Sequence, residues 1–223
     1  SFLRLHALDA SAIDGNNVPA ELDAVFSRQL AHLDDRSRAL LAAASVQGDD
    51  FLAEPALAVA GITIEEAAHY LDDLLAGQVR LVRPQLMAPN VTMHRYRFAH
   101  ALLHEHVTGT LSQLERSHLH IRTADALQRA LGARDHDGIE LIATQLELGG
   151  DLRRAAATWR TAGDRALLRS DHHHARSVFQ HIREMGLARA VPDVHVQAQV
   201  GIGNAWRALG RPDEARQALQ QAR

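Results

Sequence analysis

Two residue types are missing from this chain. None of the 223 residues is cysteine, so the chain forms no disulfide and offers neither a thiolate metal ligand nor a thiol nucleophile. Lysine is also missing, and the 24 basic residues other than histidine are all arginine. A lysine-dependent phosphate-binding loop and Schiff-base chemistry are therefore excluded. The exclusive use of arginine is typical of a GC-rich bacterial genome.

Long apolar runs and an excess of positive charge are missing as well. No segment is long and apolar enough to span a membrane, and no signal peptide is visible, which favours a cytoplasmic protein. The formal net charge of -3 argues against a dedicated nucleic-acid binder. Aromatic residues make up only 4% of the chain, while abundant alanine favours tightly packed helices. The chain begins with Ser1 and not with methionine, so we expect a piece of a longer protein.

The first half of the chain predicts three helices followed by a β-hairpin. Apolar positions recur at helical spacing, glycines follow the predicted helix ends, and Thr63 with Glu66 forms a capping box. Before them, residues 14–17 predict a turn, and Val18-Pro19 leads into a helix. We therefore expect a connecting segment over residues 1–30 and a winged helix-turn-helix domain over 31–112. The predicted segments are helices over 22–30, 35–46, 51–59 and 63–76, and strands over 79–83 and 93–98.

The stretch YRFAHALLHEHVTGTL (Tyr96–Leu111) changes its periodicity at His100. Before His100, apolar and charged residues alternate as in a half-buried strand. After it, Leu103, Val107 and Leu111 recur every four residues, as in a helix. Arg97 and His100 therefore lie where a strand runs directly into a helix.

From Glu115 to the end, the periodicity is helical and predicts stacked helix pairs over 113–223. Two units align about 40 residues apart, compared with about 34 in a standard tetratricopeptide repeat (TPR). Small residues recur where two helices of a pair would cross closely, and large ones where one pair would meet the next. We therefore predict a mainly α protein, with a winged helix-turn-helix domain followed by TPR-like α-helical repeats. The aligned residues are Gly163, Ala166, Ala175, Phe179 and Ile182, and then Gly203, Trp206, Ala215, Leu219 and Ala222.

Four segments together resemble the region behind the ATPase core of bacterial STAND-type signalling ATPases, which include large LuxR-type regulators and ATPase–TPR proteins. The resemblance covers nearly the whole chain, and its most specific part joins Arg97, Phe98 and His100 to Leu119 and His120. It implies that residues 1–30 are the end of the ATPase lid, as the alternative to a connecting segment. The segments are RSRALLAAASVQGDDF (36–51), YRFAHALLHEHV (96–107), LSQLERSHLHIRTADAL (111–127) and GDLRRAAATWRTAGDRAL (150–167).

The resemblance implies a nucleotide switch in a larger parent protein. In this family the winged helix packs on a nucleotide-binding domain that holds ATP or ADP, and the repeats sense a protein or a small molecule, often to control transcription. A winged-helix histidine contacts the nucleotide phosphate, and His100 is the residue that matches it, with Arg97 nearby. A histidine that only caps the helix start is the alternative. The chain lacks a phosphate-binding loop, so by itself it is expected to be neither an ATPase nor a cofactor-binding protein.

The predicted third helix, TIEEAAHYLDDLLAGQ, argues against DNA recognition. The third helix of a winged helix normally enters the major groove, but here Glu65, Glu66, Asp72 and Asp73 would face the phosphates. We therefore expect this winged helix to pack against protein. Arginines 80, 83, 95 and 97 either bind anions or are solvated on the strands.

Enzyme chemistry has little support from the sequence. His100 and His104 share one helical face, but a third zinc ligand and the metalloprotease pattern are both missing. His172–His174 reads as a polar helix start, and no serine lies in a nucleophile elbow. Three hypotheses remain: a STAND regulatory fragment, a stand-alone TPR-type adaptor that binds a protein or peptide without nucleotide switching, and a metal-dependent hydrolase.

Overall fold

The computed structural model describes residues 20–76, 80–85, 93–131, 136–185 and 192–222. The chain is mainly α-helical, with one small antiparallel sheet, as the periodicity predicts. The predicted turn at residues 14–17 and the Val18-Pro19 segment lie outside the described residues. None of the described helices is long and apolar enough to cross a bilayer.

Among the described residues of 20–110, five helices and three short strands form the amino-terminal unit. Their apolar faces share one core, in which Leu40, Leu41, Leu74, Phe98 and Leu103 are almost completely buried. Burial of such side chains is the main driving force that holds the unit together. The elements are α1 (Ala20–Ala31), α2 (Asp35–Ser45), β1 (Asp50–Leu52), α3 (Ala53–Ala60), α4 (Ile64–Ala76), β2 (Val82–Pro84), β3 (Arg95–Phe98) and α5 (Ala101–Thr110).

The sheet has the strand order β1-β3-β2, with β3 antiparallel to both neighbours. The predicted helix over 51–59 is wrong at its start, because Phe51 lies in β1 and α3 begins at Ala53. Phe51 pairs with Tyr96 and packs on Phe98 with ring centroids 5.6 Å apart. These contacts are made with residues more than 40 positions away, so the local pattern does not reveal them.

Side-chain caps begin two of the predicted helices, α2 and α4. Asp34 accepts a hydrogen bond from the Ser37 amide at 2.6 Å and so caps α2. Thr63 and Glu66 form the predicted capping box, in which the Thr63 amide donates to Glu66 and the Glu66 amide donates to Thr63. Gly61 ends α3 with a φ of +74°, in the left-handed region that favours glycine.

In the described parts of residues 113–220, six further helices form the helical stack, in which each helix packs on the next along the chain. Gly163 and Gly203 allow the two helices of a pair to approach closely. A Cβ at Gly163 would lie 2.7 Å from the Phe179 ring, and one at Gly203 would lie 2.8 Å from Leu219 Cγ. The predicted close crossings are confirmed at these two positions. The helices are α6 (Gln113–Leu131), α7 (His136–Leu148), α8 (Leu152–Leu168), α9 (His172–Glu184), α10 (Pro192–Ala208) and α11 (Pro212–Gln220).

Side chains of α5, α6 and α7 hold the ends of α2 and α3. His104 Nε2 donates to the Ser45 carbonyl at 2.8 Å, and Gln145 Nε2 donates to the Val46 carbonyl at 3.3 Å. Arg122 donates to the Val59 carbonyl at 2.6 Å. Carbonyls at a helix end have no partner within the helix, so these bonds satisfy them. Two of the three come from α6 and α7 and fix the helical stack to the amino-terminal unit.

Candidate functional site

His100 lies at the joint between β3 and α5. It occupies the N-cap position of α5 with extended backbone angles (φ -142°, ψ 135°), but its side chain makes no capping hydrogen bond. The residue is exposed. The joint therefore presents an imidazole to solvent and does not use it to start the helix.

Arg97 is paired within the sheet. Its Nε and Nη2 donate to the two oxygens of Asp50 at 2.6 and 2.7 Å, and Asp49 lies 3.5 Å from its Nε. The hydrogen bonds from Arg97 hold the pKa of Asp50 below its usual range, and Asp50 raises the pKa of Arg97. Arg97 and His100 make no direct hydrogen bond with each other. An anion that approaches His100 would therefore have to compete with Asp50 for Arg97.

The exposed face of the sheet carries further positive charge. Arg83 on β2 lies directly opposite Arg97 on β3, and its side chain makes no hydrogen bond or ion pair among the described residues. Arg80 is exposed beside the sheet. Like charges directly across a sheet repel each other, and Asp50 offsets part of this repulsion.

The acidic first turn of α4 is partly neutralised by an arginine from α2. Arg36 of α2 donates to Glu66 at 2.8 Å. The Thr63 amide and Arg36 both lower the pKa of Glu66. Glu65 remains exposed. The side chains of residues 72 and 73 lie outside the described part of the structure.

Two of the histidines considered as metal ligands have protein partners. His104 donates to the Ser45 carbonyl, and His174 pairs with Glu140. Within the described ranges, no three His, Asp or Glu side chains are grouped so that they would hold a metal ion.

Three residues that the sequence interpretation missed meet between α1 and α5. His106 is buried, its Nδ1 donates to Asp23 at 2.5 Å, and its Nε2 lies 3.5 Å from Ser27 Oγ. The order serine–histidine–aspartate resembles a nucleophilic triad, but the Ser27–His106 distance exceeds the usual 2.6–3.2 Å. Ser27 also lies within α1, where backbone amides bond along the helix and are not free to form an oxyanion hole. These contacts therefore serve to dock α1 on α5.

Two histidine–glutamate pairs connect α7 to α9. His174 Nε2 lies 2.6 Å from Glu140 Oε1, and His181 Nε2 lies 2.8 Å from Glu147 Oε2. Trp159 of α8 also donates to Glu147, at 3.0 Å. Both the glutamates and the histidines are seven residues apart, which places each pair two turns along its helix. This shared spacing is a signal in the sequence that the interpretation did not use.

A cleft of about 600 Å³ opens beside the first of these pairs. Its described lining is charged and comes from α7, the α8–α9 turn and α9: Glu140, Arg169, Asp171 and His174. Between Arg169 and Asp171, Ser170 has a φ of +61°, and it is the one residue other than glycine with positive φ in the described ranges.

Helices α8 and α10 also share an exposed face. Arg160 of α8 donates to Gln197 of α10 at 2.6 Å, which places the two exposed faces side by side. Apolar residues are exposed on both helices: Leu168, at the end of α8, is 86% exposed, and Val196 and Val200 lie about one turn apart on α10. Apolar residues grouped on a surface are a common feature of protein-binding sites.

Comparisons with family models, curated proteins and solved structures returned no match to this chain.

Proposed function

We propose that this chain is the regulatory and interaction part of a bacterial STAND-type signalling ATPase. The amino-terminal unit would be its winged helix, and the helical stack its TPR-like sensor. The order helix, strand, helix, helix, strand, strand over 35–98 supports the first assignment. The close crossings at Gly163 and Gly203, 40 positions apart, support the second.

The exposed His100 imidazole carries the proposal. At the junction between sheet and helix, it presents a hydrogen-bond donor that has no partner among the described residues, at a helix N-terminus where the helix dipole also favours an anion. A nucleotide phosphate held by a preceding domain would provide that anion. In this arrangement the amino-terminal unit closes over ADP or ATP in the parent protein. Arg97 would contribute by breaking its hydrogen bonds to Asp50 and donating to the phosphate oxygens in their place.

The remaining roles follow from this assignment. The parent protein hydrolyses ATP, the present chain does not, and the output is control of transcription in the cytoplasm. The partners of the chain are its own nucleotide-binding domain and a protein or small molecule on the helical stack. DNA is not a ligand of the amino-terminal unit, because Glu65 and Glu66 lie in the first turn of α4.

The experiment has two stages. The coding sequence upstream of the Ser1 codon is read first, and a Gly-rich phosphate-binding loop with its lysine is expected there. The full-length protein is then purified without added nucleotide, and the nucleotide released by acid is identified and quantified. Near-stoichiometric ADP supports the proposal. An upstream region without the loop, or a nucleotide-free protein that also fails to bind ADP, contradicts it.

A stand-alone adaptor is the second candidate, and the face shared by α8 and α10 favours it. Exposed Val196 and Val200, about one turn apart on α10, would contact a peptide or a protein helix without any nucleotide. The upstream sequence separates the two candidates, because an adaptor requires no phosphate-binding loop.

A further inference from the structure

The cleft between α7 and α9 contains positive and negative side chains whose hydrogen-bonding groups are not all paired among the described residues. The guanidinium of Arg169 lines the cleft and makes no hydrogen bond or ion pair within the described ranges. Only the Arg169 backbone contributes to the fold, through the bond from its amide to the Arg165 carbonyl at the end of α8. Arg169 therefore offers five free N–H donors to a ligand.

The two carboxylates of the cleft each have an oxygen to spare. Glu140 contacts His174 through Oε1, and Asp171 accepts the His174 amide through Oδ1 at 3.2 Å. Oε2 of Glu140 and Oδ2 of Asp171 have no hydrogen bond among the described residues. Cationic and anionic groups thus line one cleft, and its volume lies within the roughly 300–1,000 Å³ typical of small-molecule sites.

The backbone holds these groups in place at a conformational cost. Ser170 adopts a left-handed φ of +61°, which is unfavourable for a residue with a Cβ. The turn that contains Ser170 joins Arg169 to Asp171. Asp171 is fixed further as the N-cap of α9. The geometry of the Arg169–Asp171 turn is therefore well defined before any ligand arrives.

We propose that this cleft binds a small molecule that carries both an ammonium group and a carboxylate, as a free amino acid does. Arg169 binds the carboxylate as a bidentate pair, and the spare oxygens of Glu140 and Asp171 accept hydrogen bonds from the ammonium group. The proposal deepens the proposed function, because it gives the helical stack a ligand class. The binding itself requires neither a nucleotide nor a preceding domain.

The test uses the present chain. Saturation-transfer NMR screens the twenty standard amino acids at millimolar concentration, and calorimetry measures the affinity of those that bind. Propylamine and propionate, each of which carries only one of the two charges, are measured beside them. The variants are Arg169→Ala and Arg153→Ala. Arg153 is the matched control, since it is an exposed arginine at the other end of α8, about 24 Å away along the helix axis.

We expect at least one amino acid to bind. Arg169→Ala should weaken its binding at least about tenfold, as the loss of a bidentate charge-assisted pair implies, and Arg153→Ala should leave it unchanged. Propylamine and propionate should bind more weakly than the amino acid. No binding by any amino acid overturns the proposal, and so does binding that Arg169→Ala leaves intact. A negative result here leaves the nucleotide experiments on the full-length protein unaffected, so the two proposals fail separately.

Discussion

Replacing Gly201 by alanine should destabilise the chain, whereas the same change at Gly203 should not. Both glycines lie on α10 and are buried, but they face different neighbours. A Cβ at Gly201 would lie 2.6 Å from three atoms of the Phe179 ring. That ring is 1% exposed and is confined on its other side by Gly163, so it has nowhere to move.

The expected magnitudes follow from two opposing terms. Overpacking a well-filled core costs about 1–3 kcal/mol, and alanine gains about 1 kcal/mol over glycine within a helix. Because the Phe179 ring is confined on both faces, we place Gly201→Ala in the upper part of the range, with a net loss of about 1–2 kcal/mol. At Gly203 the nearest neighbour is Leu219, a residue that is 41% exposed and whose side chain has room to turn away, and the Ala215 carbonyl oxygen lies farther off at 3.4 Å. Gly203→Ala should therefore be neutral or stabilising by up to about 1 kcal/mol.

Urea denaturation followed by circular dichroism at pH 7 measures both variants. The double variant Gly201→Ala/Phe179→Leu serves as the test of mechanism, because a smaller side chain at 179 should recover part of the loss. A Gly201→Ala protein as stable as the unmodified chain would refute the packing of Phe179 between the two glycines. Equal destabilisation by both alanines would refute the distinction between a confined ring and an exposed leucine.

Three further predictions concern charge and helix capping. Burial lowers the pKa of His120 below the ordinary histidine value of about 6.5, so the unfolded chain takes up a proton before the folded chain does as the pH falls. The free energy of unfolding, measured between pH 7.5 and 5, should therefore decrease below about pH 6.5. The decrease should be less steep in His120→Gln than in His118→Gln, which replaces an exposed histidine and is the control. Thr63→Ala should cost about 0.5–2 kcal/mol in thermal unfolding through loss of the capping box, and an unchanged melting temperature would contradict that role. Fluorescence anisotropy with a mixed-sequence duplex at low salt should detect no binding, whereas tight, salt-sensitive binding would show that the exposed arginines outweigh the acidic first turn of α4.

The local elements could be predicted because their signals lie within a few residues of each other. In the capping box, Thr63 and Glu66 are three positions apart in the sequence. Asp34 is likewise three positions from Ser37, whose amide it caps. The close crossing of α8 and α9 is indicated by Gly163 and Phe179, which align with Gly203 and Leu219 forty positions later. In each case periodicity and capping act at short range, and the structure follows them.

The missed features depend on residues that are distant in the sequence. Strand β1 has only three residues and exists because β3 pairs with it. The Arg97–Asp50 ion pair spans 47 positions and the His106–Asp23 contact spans 83. No local pattern specifies such partners, so the pairing of Arg97 and the contacts of His106 became visible only in the fold.

The rate at which the full-length protein releases a fluorescent ADP analogue tests the central proposal most directly. The variants are His100→Ala and His118→Ala, the second being an exposed histidine on α6 and the matched control. We predict that His100→Ala releases the nucleotide about tenfold faster, as the loss of a hydrogen bond to a charged phosphate implies, and that His118→Ala matches the unmodified protein. Equal release rates in all three proteins would show that His100 does not contact the nucleotide, and would contradict the proposed role of the β3–α5 joint.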